Sequence, residues 1–383
     1  MSEVLSLEEK KKRIAELNKS FSKKYGESGM VRMGTEVMKV EPISTGILGL
    51  DLALGKPMPR GRAVSISGTE SSCKTTTALT TIATEMKNNK EAFCYYADVE
   101  QALDTDYAES LGVDLSRLVV DSTSVGEEAL TKLRDSIASG LYSIAVLDST
   151  NAICASKQEE SDITATEMAI RARLLATTYP QLISACGKTN TLLIVIEQIR
   201  KKVGVMFGNP ESTTVGEAGK FFMTQRIMMR RQTKVEEEGG VAISNEVKCS
   251  VIKNKVAPPF RKCDLVCIYG KGFDKITDTA NLAIDFDIVQ DKGHSYKKGT
   301  PEEKKWKSKD EFIKYLSSNE DFYEEIRKAT LEKYNNSDQT SIMQDDDDID
   351  RKNAEKEKFE DLAVTSKDNS MISDGSDEFK EGE

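Results

Sequence analysis

The chain has 383 residues, 38% of them apolar and 31% charged, with a formal net charge of −10. No run approaches the roughly 20 apolar residues of a membrane helix, and the first residues lack the apolar stretch of a secretory signal, so a cytoplasmic protein with one large domain and one small one is expected. A single histidine, His294, and seven scattered cysteines leave no clustered zinc ligands and no Ser-His-Asp triad; the cysteines read as reduced, mostly small core residues, and chemistry falls to carboxylates, Lys, Gln and a bound metal.

The acid is unevenly placed. Residues 337–383 hold 16 acidic and 6 basic residues, which is the whole net charge of −10, so the body is neutral and carries an acidic tail. A neutral body still has room for a basic groove, so the low isoelectric point does not exclude nucleic acid.

In chain order, residues 6–24 read as an amphipathic helix. Ser6-Leu7-Glu8-Glu9 can form a capping box, and Leu7, Ile14, Leu17 and Phe21 share one face. That face suits either a helix packed on its own core or an arm docked on another subunit. From about 41 to 270, β-rich runs (RAVSIS, AFCYYAD, LVVDS, SIAVLDS, TLLIVIE) alternate with helical stretches, the pattern of a mostly parallel sheet flanked by helices. RIMMRR, VKCSVIKNK and CDLVCIYG then follow as consecutive strands, suiting an antiparallel extension of that sheet. Cys263 and Cys267 fall on one face of the last of these. Residues 271–335 read as a small α/β domain around Trp306, and 336–383 as a disordered acidic tail.

Gly68-Thr69-Glu70-Ser71-Ser72-Cys73-Lys74-Thr75 follows the strand RAVSIS and opens a helical run beginning with Thr76. Strand, loop and helix N-terminus are the context of a phosphate-binding loop, whose amides and helix dipole face phosphate oxygens. Lys74 would neutralise the phosphates and Thr75 would hold Mg²⁺; the alternative is an ordinary Ser/Thr-rich loop. Cys73 stands where the pattern has Gly, at a position whose backbone is costly for a residue with a Cβ. Its thiol, at a helix N-terminus beside Lys74, would be expected to have a lowered pKa, react with alkylating reagents and be shielded by MgATP. Asp148 ends the buried run SIAVLDS as a magnesium-shell acid should. Asp98-Val99-Glu100 ends another strand, where ligands bind in such sheets, and Glu100 could orient an attacking water. The bland reading of these acids is that they cap the helices that follow. Glu197-Gln198 ends TLLIVIE, where a polar side chain can sense a terminal phosphate.

Two segments lack clear periodicity, 157–169 and 201–219. Arg200, Lys201 and Lys202 can neutralise phosphates, and amides around Gly208, Ser212, Thr213 and Gly216 can bind them without reading sequence. Met206 and Phe207, with Met168 from the first segment, can wedge against bases, which suits sequence-tolerant binding of single strands. Met206-Phe207 equally suits a buried loop anchor.

Ile43-Ser44-Thr45-Gly46, GTESSCKTT, ADVEQALD, VLDS, NTLLIVIEQIRKKVGVMFGNPEST and VIKNKVAPPF, in this order and spacing, resemble the bacterial RecA recombinases over about residues 6–335. The resemblance implies a RecA-type P-loop ATPase core with a mostly parallel central sheet, an N-terminal helix and a small C-terminal α/β domain. The divisions would be 1–40 for the subunit-docking segment, 41–270 for the ATPase core with both DNA-binding loops, 271–335 for the small domain and 336–383 for the tail. It implies ATP and Mg²⁺ as cofactors, with Lys74 and Thr75 on phosphate and Mg²⁺, Asp148 as the metal-shell acid and Glu100 as catalytic base. Asp104, Tyr107 and Tyr269 would contact adenine, and Gln198 would report ATP to the DNA loops. Lys253 and Lys255, which alone would read as a solvated strand pair, would reach the neighbouring subunit's ATP. Phe221 would touch the next subunit, and Arg173 would join the DNA-binding residues.

The implied function is an ATP-dependent recombinase that forms a filament on single-stranded DNA and exchanges strands with duplex DNA in repair and the SOS response, with itself and mediator proteins as partners. The departures are Cys73 for Gly, Gln101 for His, Glu197 for Asn, and Val215 and Glu217 for smaller or neutral residues. They mark a divergent member of the kind phages carry, and Glu197 would place an extra carboxylate near the phosphates. They keep open a second function, a regulatory or DNA-binding filament protein with weak or lost ATPase. A helicase-like motor on the same core is disfavoured by GVMFGNPE and the Lys253/Lys255 pair.

Overall fold

The structure is a computed structural model that describes residues 6–26, 40–153, 166–201, 211–213, 216–238, 241–290, 295–296 and 304–336. The chain divides into two compact units, Met1–Glu41 and Pro42–Glu383. In the first, α1 (Leu7–Tyr25) starts at Ser6, whose hydroxyl accepts the Glu9 N–H while the Glu9 carboxylate accepts the Ser6 N–H. This box satisfies two amides that a helix start leaves without partners. Leu7, Ile14 and Leu17 are exposed, and none of the helix's residues is buried.

The second unit opens with β1 (Pro42–Ile43), α2 (Leu48–Leu54) and β2 (Met58–Pro59), β1 and β2 pairing antiparallel. Strand and helix then alternate through β3 (Ala63–Gly68), α3 (Lys74–Asn88), β4 (Phe93–Asp98), α4 (Thr105–Ser110), β5 (Leu118–Asp121), α5 (Gly126–Ala138), β6 (Tyr142–Asp148), α6 (Thr166–Thr189) and β7 (Leu192–Lys201). After β8 (Glu211–Thr213) and α7 (Gly216–Phe222), four strands follow without helices: β9 (Gln225–Glu238), β10 (Val241–Asn254), β11 (Lys262–Ile268) and β12 (Gly272–Phe273). Strands β3 to β12 form one sheet in the order β12-β11-β10-β9-β3-β7-β6-β4-β5, with β8 on β7. It is parallel from β9 to β5 and antiparallel from β9 to β12.

The near-continuous apolar runs of β3, β4, β6 and β7 are explained by burial on both faces. Val64, Ile66, Tyr96, Val146, Ile194 and Ile196 join one apolar cluster, whereas their alternates Ala63, Tyr95, Ala97, Leu147, Leu193 and Val195 join another. This is the two-residue period of a strand seen as packing. Helix α3 lies against the first cluster although it is rich in Thr, a poor helix former. Thr77, Thr80, Thr81 and Thr84 each donate their hydroxyl to the carbonyl four residues back, which lets polar side chains be buried without losing hydrogen bonds.

The last elements are α8 (Lys275–Asp285), β13 (Val289–Gln290), β14 (Ser295–Tyr296), β15 (Lys304–Lys305), α9 (Lys309–Ser318) and α10 (Glu320–Asn336). Residues of α8, β13, α9 and α10 share an apolar cluster with Trp306, whose ring stands 4.7 Å from Phe312 and 5.9 Å from Phe322. Asp278 of α8 joins this group to the first helix of the unit by accepting the Gly49 N–H of α2 at 2.9 Å. Among the described residues, no helix is long and apolar enough to cross a membrane.

Candidate nucleotide site

The site forms where β3, β4 and β6 end beside Gln198 of β7, in register at Gly68↔Gln198 and Asp98↔Asp148. Gly68 is required sterically: a Cβ there would collide with the Met229 carbonyl and the Ser72 hydroxyl. The loop beyond it is held by its own polar groups. Ser72 Oγ and Lys74 Nζ both donate to the Thr69 carbonyl at 2.7 Å, and Asn245 Nδ2 donates to the Ser71 carbonyl at 3.2 Å. Ser71 and Cys73 take left-handed φ values of 57° and 61°. Position 73 therefore has the glycine-like backbone expected from the sequence, held by a residue for which it costs roughly 1–2 kcal/mol. No side chain caps α3, which leaves its first amides facing the loop.

Cys73 differs from the sequence expectation in its electrostatics. Its thiol lies near Cys267 and packs against the core cluster under the loop; the neighbouring thiol and burial raise its pKa, and Lys74 opposes the shift but does not outweigh it. The predicted thiolate, with its ready alkylation, is therefore corrected: tertiary burial prevails over the local helix terminus.

Lys74 is buried, and burial lowers its pKa against the opposing pull of Asp148 and Glu100. Asp148 Oδ2 accepts from Thr75 Oγ1 at 2.9 Å and from the Tyr96 hydroxyl at 2.6 Å. Its carboxyl is pushed up, first by burial and further by the nearby Glu100 and Asp98, while its two hydrogen bonds pull the other way. Glu100 Oε1 accepts from Gln198 Nε2 at 2.9 Å and from the Ser149 hydroxyl, and Asn151 Oδ1 accepts the Gln198 N–H at 3.2 Å. Asp98 turns back to take the amides of Ala102 and Leu103. The Asp148 carboxylate thus meets the Thr75 hydroxyl at the helix start, with Lys74 in the loop; one carboxylate and one hydroxyl fit Mg²⁺, which takes one or two protein oxygens together with substrate phosphates.

The structure brings together Gly68, Thr69, Ser71, Ser72, Cys73, Lys74, Thr75, Glu100, Asp148 and Gln198. Glu70 and Thr76 lie in the same loop and first helical turn. Asp104 caps α4 by accepting the amides of Asp106 and Tyr107, and the Tyr107 hydroxyl meets Thr76 Oγ1 at 3.1 Å. Tyr269 is exposed; the turn beyond it touches α4 through Ser110 Oγ and the Gly270 carbonyl at 3.3 Å. The motif Ser44-Thr45-Gly46 is bracing: both hydroxyls donate to Asp51, and a Cβ on Gly46 would collide with Thr84 of α3.

Glu197 corrects a second expectation. It is buried, and as the neighbour of Gln198 on a strand it faces the opposite side of the sheet. There burial, and after it the charge of Glu197, raise the pKa of the Tyr179 hydroxyl of α6, so the carboxylate lies away from the phosphate loop. Lys253 and Lys255 gather at the C-terminus of α7, where Lys253 Nζ donates to the carbonyls of Lys220 and Phe221 and Lys255 Nζ to that of Phe221. Burial, then Lys255 and Arg226, lower Lys253 to about 8. Phe221 beside them is exposed.

Of the residues proposed for DNA, Arg173 is exposed on α6. Met168, Arg200, Ser212, Thr213 and Gly216 are placed by backbone only, with Arg200 opposite Ser212 in the β7–β8 ladder. Lys202, Met206, Phe207 and Gly208, with the departure Val215, lie outside the described residues. Sequence reasoning missed Tyr96, Asn151 and Asn245 and gave Ser149 no role. Their contacts join strands far apart in the chain, and only the register of the sheet reveals them.

Residues 12–274 match the family described as the RecA N-terminal domain. Protein RecA of Lactobacillus johnsonii is 37% identical over 332 residues, covering 86% of this chain and 91% of its own. Protein RecA of Deinococcus radiodurans is 37% identical over 325 residues, with coverages of 84% and 88%, and that of Thermus aquaticus 37% over 328, with 85% and 95%. A crystal structure of the RadB recombinase superposes with a TM-score of 0.46 at 19% identity, covering 60% of this chain and 98% of its own. With the family match spanning most of the chain and relatives of this identity aligned over most of their length, the chain belongs to the RecA family.

Proposed function

We propose that this homologous-recombination protein is a DNA-dependent ATPase that polymerises on single-stranded DNA and exchanges strands with a duplex. The observation that carries the reading is the bond from Gln198 to Glu100. Gln198 lies on β7, and β7 ends at Lys201, where the second candidate DNA segment, 201–219, begins. One strand thus links the acid that would orient water to the chain that would hold DNA. ATP with Mg²⁺ supplies the electrophilic phosphorus and the shielding of its charge. Thr75 and Asp148 would hold the cation, Lys74 and the amides of 69–75 would bind the phosphates, and Glu100 would accept the proton of the attacking water.

Asp104, Tyr107 and Tyr269 would bound the base, and Lys253 and Lys255 would serve the ATP of a neighbouring copy, stabilising charge in transfer. The exposed stripe of α1 and Phe221 would face other copies. The divisions at 40, 270 and 335 are proposed with these roles. Replacement of Gln198 by Ala tests the link: hydrolysis without DNA should persist while its stimulation by single-stranded DNA collapses. Equal stimulation in the variant would refute the coupling. One observation favours the second reading, a regulatory filament with weak ATPase, namely the strained, core-packed Cys73 in the loop. Turnover in the Cys73→Gly variant decides how much the cysteine costs.

A further inference from the structure

Four described cysteines lie together under the phosphate loop. Cys249 of β10 stands directly opposite Cys263 of β11. Cys267, four residues along β11, projects from the same face of the sheet and stands opposite Asn245. Asn245 in turn holds the Ser71 carbonyl, so this pair of strand positions abuts the loop. Cys73 and Cys263 pack against the apolar cluster that contains Cys249 and Cys267, and Cys73 and Cys267 act on each other's titration as near neighbours. All four are free thiols, and the described residues hold no group of three or more His, Cys, Asp or Glu suited to a metal ion.

We propose that Cys73 and Cys267 form an oxidisable pair that switches the nucleotide site off when they join as a disulfide and on again when they are reduced. The oxidant is hydrogen peroxide. Within the pair, Cys267 is the thiol shifted toward the thiolate by its partner, whereas Cys73 is shifted away from it, so Cys267 is the nucleophile. Hydrogen peroxide transfers an oxygen to the Cys267 sulfur, giving a sulfenic acid and one water. The Cys73 sulfur then attacks the Cys267 sulfur, forming the S–S bond as the S–O bond breaks, and the departing hydroxide leaves as a second water with the Cys73 proton. Two thiols lose two electrons and one peroxide gains them.

The consequence for binding is geometric. A disulfide holds its sulfurs about 2.05 Å apart, closer than any hydrogen bond does, so its formation draws Cys73 toward β11. Cys73 is the residue at which the loop turns into α3, in a left-handed conformation. Its displacement turns the cradle amides away from the phosphates, and loss of one charge-assisted hydrogen bond weakens binding by roughly 10- to 100-fold. The switch rests on the reading of 68–75 as a nucleotide cradle.

The test uses the full chain, reduced or treated with hydrogen peroxide. Cross-linked peptides are mapped without reduction, and affinity for a fluorescent ATP analogue with Mg²⁺ is measured in parallel. The expected result is a peptide joining Cys73 to Cys267, affinity lower by roughly tenfold or more, and recovery with dithiothreitol. Cys267→Ala, or the bulkier Cys267→Val, should bind the analogue when reduced and keep its affinity through peroxide. The proposal is overturned if peroxide joins Cys249 to Cys263 and leaves Cys73 free, if the Cys73–Cys267 link forms without change in affinity, or if the Cys267 variants lose affinity as the wild type does. Failure of the reduced wild type to bind the analogue would instead sink the cradle reading, and the peptide map would still decide whether the two thiols pair.

Discussion

On the proposed reading Lys74 and Glu100 would have separable duties at the phosphate end, and substitution should separate them. Lys74 is the lysine set into the loop itself, so Lys74→Ala is expected to lose both nucleotide binding and hydrolysis, read by equilibrium binding and phosphate release. Glu100→Gln keeps a carbonyl acceptor for Gln198 and Ser149 but no basic carboxylate. It should bind ATP normally and hydrolyse it roughly 10²–10⁴-fold more slowly, the usual contribution of a general base; turnover at the wild-type rate would place the base elsewhere. These two residues were legible because a lysine before a helix and an acid at a strand end are positional signals. Tyr96 and Asn151 were not, since nothing local marks a tyrosine on β4 as the partner of an acid on β6. Glu197 shows a different failure: the alternation that sends neighbours on a strand to opposite faces was available in the sequence, but nearness in the chain was taken for nearness in space.

At the scale of elements, the parallel run and its antiparallel extension followed from where helical spacing stops, after α7. The contact between α2 and α8 did not, because it joins residues more than 200 positions apart. It also makes a pH-dependent joint. Burial pushes Asp278 up to about 7, Asp51 and Asp274 add to the rise, and the amides of Gly49 and Leu48 oppose it. The folded chain thus keeps this proton to about 7, whereas the unfolded chain releases it near 3.8. The contribution to stability is complete below the unfolded value and is lost as pH rises through the folded one. Between about pH 5 and pH 8 the wild type should lose melting temperature relative to Asp278→Asn by at least about 2–4 °C, the shift expected for roughly 1 kcal/mol in a domain of this size. A constant difference between the two across that range would show that Asp278 titrates normally.

For the whole molecule, charge is divided between a neutral body and an acidic tail. Removal of residues 337–383 is expected to strengthen binding to duplex DNA at low salt, because the tail competes with phosphate for basic groups. The effect should fade as salt rises, since screening acts over about 8 Å at physiological ionic strength. Unchanged duplex affinity after truncation would reduce the tail to a solubility segment. Family membership and the ATPase framework were readable from motif order, whereas the thiol packing beneath the loop and the burial of Glu197 on the face opposite Gln198 required the assembled sheet. The central claim is that hydrolysis at the Lys74–Glu100–Asp148 site is driven by single-stranded DNA. Steady-state ATP hydrolysis by the full chain, with and without single strands of unrelated sequence, tests it most directly. The account requires turnover that rises severalfold or more with every strand and disappears in Lys74→Ala; turnover that is absent, or indifferent to DNA, would contradict it.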